Sequence, residues 1–326
     1  MLQSPFSLIK SFLAVLFIFP LFAFSQTTFQ QAETYFQQEK YSKAKSLFEN
    51  YLQDYPNDRK TKEYLGDIAG HAKDWDTAIE YYEELVEANS RSANYHFKYG
   101  GAMGMKALEI SKIRALTYIG DIKQEFEIAA QLDPKHIDVR WALVEFYIQL
   151  PSIVGGSESK AIHYANELEK ISPVDGQLAK GYIAEYSDRP NDAERYYIKA
   201  IEIGGSPTTY DKLTSHYEKN NKPKEAIATA SQSLKVHQRN PLNYQIGKIA
   251  AQYNLEASLG IKCLNAYINN YTSKDGVPKG WAYLRLAQIY KNEGDKQLAM
   301  QWIDKALQTR PDFKEAKNEK SLIQNL

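Results

Sequence analysis

The chain reads as an all-α protein, a solenoid of about eight helix–turn–helix pairs, and three observations point there. Aromatic, small and proline residues recur about every 34 residues: Tyr35, Ala44, Phe48 and Pro56, then Gly66, Ala78, Tyr82 and Leu85, and at the far end Ala287, Tyr290, Ala299, Ala306 and Pro311. Within each copy the apolar positions fall three and four apart, which puts one stripe on each helix. At 326 residues the chain also exceeds the ~250–300 residues at which a single core stops growing. A stack of repeats escapes that limit, because each unit packs only against its neighbours.

The repeats can be followed in order. The first, Thr27 to Pro56, carries Ala32, Tyr35 and Phe36 on its first helix, turns at Glu39-Lys40-Tyr41, and carries Ala44, Leu47, Phe48, Tyr51 and Leu52 on its second. Pro56 ends that helix, since proline lacks the amide and disfavours helix in the residue before it. The second repeat has Leu65 and Gly66, a turn at Asp74-Trp75-Asp76, then Ala78, Tyr82 and Leu85. The third has Tyr99, Gly100 and Met103, but its second stripe (Phe126, Ala129, Leu132, Pro134) arrives about ten residues late. The intervening Ala107–Gly120 has no proline or glycine cluster, so two extended helices are expected there.

The fourth repeat holds Trp141, Leu143, Val144 and Tyr147, then Ala161, Ala165 and Leu168, with an insertion at Pro151–Ser157 between them. Gly155-Gly156-Ser157 is not a phosphate loop, because the pattern GxxxxGK[ST] is absent and no strand precedes it. Ser157 or Ser159 is the expected N-cap of the next helix. The fifth (Gly181, Tyr182, Ala193, Tyr197, Ala200) turns at Asp188–Asp192, and the sixth (Leu213, Tyr217, Ala226, Ala230, Leu234) turns at Asn220–Pro223. The seventh is eroded, with Ile246, Gly247, Ala250, Leu259, Cys263 and Ala266, and Asn270–Lys279 is expected to be a flexible connection. The eighth runs from Trp281 to Pro311 and turns at Glu293-Gly294-Asp295. Residues 312–326 are expected as a polar capping helix started by Asp312.

These positions resemble the tetratricopeptide repeat over roughly Thr27–Pro311. The resemblance implies a right-handed superhelix whose concave face, lined by the first (A) helix of each pair, receives a peptide or protein. Side chains beside the signature positions should point into it. In this chain they are Glu63, Asp67, His71, Phe97, Glu145, Gln149, Tyr182, Tyr186, Lys248, Gln252, Gln288, Lys291 and Asn292. They do not form the regular Lys/Arg/Asn clamp with which chaperone-binding members hold a C-terminal carboxylate. The 24 tyrosines are read mostly as packing between helices, the rest as groove anchors.

The first 25 residues read as an address. Lys10 precedes an apolar run from Phe12 to Phe24, and Ala23-Phe24-Ser25 ends it, as in a secretory signal peptide. Cleavage after Ser25 is expected, leaving Gln26–Leu326 exported to a periplasmic or extracellular location. No cysteine follows the run to carry a lipid, and no other stretch is apolar enough to span a membrane. With Lys10 removed the chain holds 39 basic and 40 acidic residues, so no global charge draws it to nucleic acid.

Catalytic, cofactor and metal signatures are not found. None of the six histidines forms HExxH or an i,i+4 pair, GxSxG does not occur, and Cys263, the single cysteine, lies in an apolar helical pattern. Acidic pairs such as Glu83-Glu84 and Glu33/Glu39 are read as solvated faces supporting lysines one turn away. The function expected is an exported scaffold or adaptor with a protein or peptide partner in its groove. The alternative is a structural subunit of a cell-envelope assembly, and an enzyme ranks last.

Overall fold

The computed structural model describes residues 28–326, so the expected signal peptide and its cleavage site lie outside the described residues. Those residues form helices and turns with no strand among them, and the chain divides into two compact units meeting at Ser157/Glu158. The first unit contains α1 (28–37), α2 (Tyr41–Asp54), α3 (Arg59–His71), α4 (Trp75–Ala88), α5 (Ala93–Glu109), α6 (Lys112–Ala115), α7 (Ile119–Leu132) and α8 (Ile137–Gln149). The second contains α9 (Glu158–Ile171), α10 (Pro173–Tyr186), α11 (Pro190–Gly204), α12 (Pro207–Lys219) and α13 (Pro223–His237). It continues with α14 (Asn240–Tyr253), α15 (Ala257–Asn269), α16 (Lys279–Asn292), α17 (Lys296–Thr309) and α18 (Lys314–Gln324). Each unit is a helical stack of the α-solenoid type, with odd-numbered A helices in the first repeats giving way to even-numbered ones after the α6 insertion.

Local chemistry explains where the helices begin and end. Asp58, Ser92, Ser172 and Ser206 accept the backbone N–H of Thr61, Tyr95, Asp175 and Thr209, capping α3, α5, α10 and α12. Pro173, Pro190, Pro207 and Pro223 occupy the first helical turn, where a missing amide is harmless. Six A helices stop in the same way, on a left-handed residue: Glu39, Lys73, Asp188, Asn221, Asn254 and Gly294. The amide after each one reaches back to a carbonyl of the last turn, as in Lys40 to Tyr35 (2.9 Å) and Asp295 to Tyr290 (2.9 Å). That tight stop brings the B helix straight back onto its A helix.

The two helices of a pair meet through small residues. Ala44, Ala78, Ala193, Ala226 and Ala299 are fully enclosed. A Cβ added to Gly66 would lie 2.7 Å from the Tyr82 ring, and one added to Gly181 would lie 2.4 Å from the Tyr197 ring. Gly100 takes Phe126 (3.0 Å) and Gly247 takes Leu264 (2.3 Å) in the same way. Glycine lowers helix stability by about 1 kcal/mol relative to alanine; here the loss is offset by an aromatic or leucine side chain seated against the bare backbone.

Three expectations are corrected. Ala107–Gly120 does not form two extended helices. α5 runs on to Glu109, Ile110 and Ser111 are extended, α6 is a single turn, and α7 begins only at Ile119. Leu108, Ile113 and Leu116 are 75%, 81% and 51% exposed, so a continuous helix would have had no wall to bury its apolar stripe. Asn270–Lys279 is tied down: Asp275 accepts from the Thr272 amide (2.7 Å) and from Asn240 Nδ2 (3.1 Å), and the Tyr267 hydroxyl donates to the Val277 carbonyl. Asp312 does not cap α18. Phe313 holds that position because its ring is buried edge-on against Trp281, and Asp312 pairs with Arg310 (3.2 Å).

Two stability predictions follow from these contacts. Gly181→Ala drives a methyl into the Tyr197 ring and should destabilise the chain by about 1–3 kcal/mol, read as a lower thermal midpoint. Asp58→Ala removes the bonds to the Thr61 amide and hydroxyl (both 2.7 Å) and should lose ~1 kcal/mol in urea titration.

Candidate functional site

The expected groove residues do not form one surface. Several are engaged in bonds that join one repeat to the next. On α3, Glu63 accepts from Asn94 Nδ2 (2.8 Å) and pairs with Lys98 (2.7 Å). Asp67 accepts from Lys98 (2.7 and 2.8 Å) and from the Tyr82 hydroxyl (2.7 Å). In the second unit Lys248 pairs with Glu218 (2.8 Å), Gln288 donates to Glu319 (3.1 Å), and Lys291 pairs with the same carboxylate (2.5 Å). His71 is stacked on Tyr41 with ring centroids 4.4 Å apart, and Phe36 lies at its edge. Gln252 and Asn292 are exposed on α14 and α16.

This linkage is systematic. Glu33 takes Lys60 (2.6 Å) and Tyr64 (3.0 Å), Glu158 takes Arg189, and Glu185 takes His216 Nδ1 (2.6 Å). Partners 31 positions apart recur at Glu33/Tyr64, Glu63/Asn94, Asp67/Lys98, Glu185/His216 and Gln288/Glu319. The acids read as solvated helix faces therefore reach across repeats instead of along their own helix. Glu83 does the same with the Tyr99 hydroxyl (3.0 Å), whereas Glu84 pairs with Lys62 (2.5 Å) on the other helix of its own repeat. A search for complementary residues about one repeat apart would have found this ladder in the sequence.

The remaining expected residues line two clefts, one in each unit. In the second unit Tyr182 borders a cleft of about 680 Å³ built by three successive A helices, α10, α12 and α14. Asp211, Lys212, Lys219, Arg239 and Gln245, which sequence reasoning missed, complete its walls. None of Lys212, Lys219 and Arg239 is in an ion pair among the described residues. The cleft walls desolvate the Asp211 carboxyl and hold it above the ordinary carboxylate range, against the pull of the Arg239 guanidinium. His216 also borders the cleft, but its side chain is fully enclosed and bound to Glu185, out of reach of a substrate. Tyr186 stands half exposed beside the cleft, its ring 6.2 Å from that of Tyr182.

In the first unit Phe97, Glu145 and Gln149 come together around an apolar cleft of about 410 Å³, with Met105, Leu108, Phe126 and Phe146. Its walls are fixed from behind. His96 Nδ1 meets Glu125 at 2.5 Å in a buried contact that ties α5 to α7. The Arg140 guanidinium donates to the carbonyls of Ala130, Asp133 and His136, all within 3.1 Å, and clasps α7 to α8. Among the described residues no three His, Cys, Asp or Glu side chains gather as a metal site would require, and no helix is long and apolar enough to cross a membrane. Burial pushes the Cys263 thiol up, away from the reactive thiolate.

Comparison with known proteins bears on this architecture. A tetratricopeptide repeat model matches residues 29–93, and a second matches residues 282–313. The fold is similar to that of a tetratricopeptide repeat protein from Parabacteroides merdae, with a TM-score of 0.50 and 11% identity over 92% of this chain and 98% of that one. The tetratricopeptide protein YrrB, described as having an unusual peptide-binding site, is 15% identical, with a TM-score of 0.43 over 60% of this chain and 97% of that one. Human protein O-mannosyl-transferase TMTC3 is 22% identical over 287 residues, which is 83% of this chain but 30% of that protein. The chain thus spans less than a third of that relative's length. Two matched repeat segments, a shared fold along nearly the whole chain and the same A-to-B helix interlock in four helix pairs make this a tetratricopeptide repeat protein.

Proposed function

We propose that the chain is an exported, non-enzymatic scaffold that holds a peptide or protein partner against the A helices of its second unit. The tetratricopeptide fold is that of an interaction scaffold, and the cleft between α10, α12 and α14 carries the more specific reading. It offers an aromatic face (Tyr182), three cations outside ion pairs and an amide along one open surface. Such a mixture suits recognition of a chain by a few anchors. It does not present an accessible acid, base and nucleophile in hydrogen-bond reach of one another, and the histidine on its border, His216, is sequestered. Lys10, the apolar run to Phe24 and the Ala23-Phe24-Ser25 ending support export. A second reading, a subunit of a cell-envelope assembly, draws on the exposed Leu108, Ile113 and Leu116.

Cross-linking in the native host, followed by mass spectrometry, tests the cleft. A defined partner should be captured by the natural chain and lost with the combined Lys212→Glu and Arg239→Glu variant, while the variant keeps its helical content. Equal capture by both chains would sink the assignment. Export is tested separately: N-terminal sequencing of the mature chain should begin at Gln26, and a chain retaining Met1 in the cytosol would refute it.

A further inference from the structure

The second-unit cleft holds an unpaired acid among its cations, and that acid governs how the cleft can be filled. Along α12, Asp211, Ser215 and Lys219 succeed one another at i, i+4 spacing, so they form one strip on the cleft wall, with Lys212 on its flank. Arg239, the N-cap residue of α14, stands close enough to Asp211 to pull on its charge. The remaining charges at this wall are Glu185 of α10 and His216 of α12, which are bound to each other at 2.6 Å. From α14 the cleft is lined only by Pro241, Leu242 and Gln245. On the other sides of α12, Glu194 of α11 takes the Tyr217 hydroxyl (3.0 Å), and His237 of α13 lies edge-on to Tyr210.

Asp211 therefore has neither a hydrogen bond nor an ion pair among the described residues, and Lys212, Lys219 and Arg239 have no ion pair either. Three cations against one unpaired carboxylate favour an anionic occupant over a cationic one. An anion that reaches Lys219 and Arg239 comes down on the wall that carries Asp211, and two like charges at one site repel. A proton on Asp211 removes the repulsion and leaves the cleft one unit more positive. The cleft walls already hold this carboxyl above its ordinary range, so the proton is taken up at a higher pH than a free carboxylate requires. The sign follows by linkage: an anion binds more tightly as pH falls through the titration of Asp211, and a bound anion draws the proton on.

We propose that this cleft takes an acidic segment of the partner, and that the segment binds together with a proton from solvent on Asp211. The inference rests on the reading of this cleft as the partner site, and it adds the charge of the partner and a dependence on pH.

The test uses the full-length chain and a short rhodamine-labelled peptide alternating glycine with cysteic acid, whose sulfonates stay ionised throughout. Fluorescence anisotropy should report saturable binding that tightens about threefold or more from about pH 7.5 to about pH 5. Asp211→Asn should bind at the higher pH as tightly as the natural chain does at the lower one, with no further tightening. It removes a desolvated charge and no hydrogen bond, so its thermal midpoint at the higher pH should be kept or raised. Lys212→Glu with Arg239→Glu should abolish binding at both pH values. Binding that this pair abolishes, but whose pH profile is the same in the natural and Asp211→Asn chains, would overturn the proton linkage and leave the cleft reading standing. Binding that survives Lys212→Glu with Arg239→Glu would overturn both. The absence of saturable binding at either pH would overturn the acidic partner class.

Discussion

The seat of a large B-helix side chain on a bare stretch of A-helix backbone is the constraint on which the other contacts of the stack depend. Where Tyr82 meets Gly66 or Tyr197 meets Gly181, no larger residue fits beneath the ring. The interlock sets the distance between the paired helices, and the fully enclosed alanines Ala78 and Ala193 extend the close approach. The Tyr82 and Tyr197 hydroxyls then reach out of the same contact to Asp67 (2.7 Å) and Glu185 (3.1 Å). Burial beside those carboxylates pushes both phenols well above their ordinary range, so they stay neutral donors. One contact thus fixes the pair and also orients the acids that reach the next repeat.

The third repeat shows how far this constraint stretches. Gly100 still receives its aromatic partner, Phe126, although an insertion separates them. The added residues cannot enter the pair, so they are expelled as the Ile110–Tyr118 break with its exposed Ile113 and Leu116. The cleft between α5 and α8 lies beside the retained Gly100–Phe126 contact and the displaced segment. In the second unit the repeats that build the cleft across α10, α12 and α14 keep their period, and that cleft is rich in charge.

Much of the fold is legible in the sequence because its signals are local. Helix stops at Glu39, Asn221 and Gly294, prolines at first turns, and the small-then-aromatic order are each written within one repeat. The sites are less legible, for two physical reasons. Glu63, Asp67, Lys248 and Lys291 sit where groove residues should, yet their charges are consumed by the neighbouring repeat, a partner invisible to a search along a single helix. Asp312 looked like a cap because its side chain suits one, but burying the Phe313 ring outweighed a single cap bond. The cleft glycines Gly101 and Gly104 look like Gly100 in sequence, and only the space above them tells them apart.

The ladder of bonds between repeats has a consequence for assembly of the chain itself. A stack of near-identical modules risks docking a helix onto the wrong neighbour, since every apolar stripe resembles the next. Individually these partly exposed pairs stabilise little, about 0–1 kcal/mol each. Some rungs differ in kind, however: carboxylate meets amide at Glu63/Asn94 and imidazole at Glu185/His216, beside the ammonium partners at Glu33/Lys60, Asp67/Lys98 and Glu218/Lys248. A module that docks at a rung of a different kind meets a mismatched partner, so these polar rungs distinguish places in the stack that the apolar stripes alone do not.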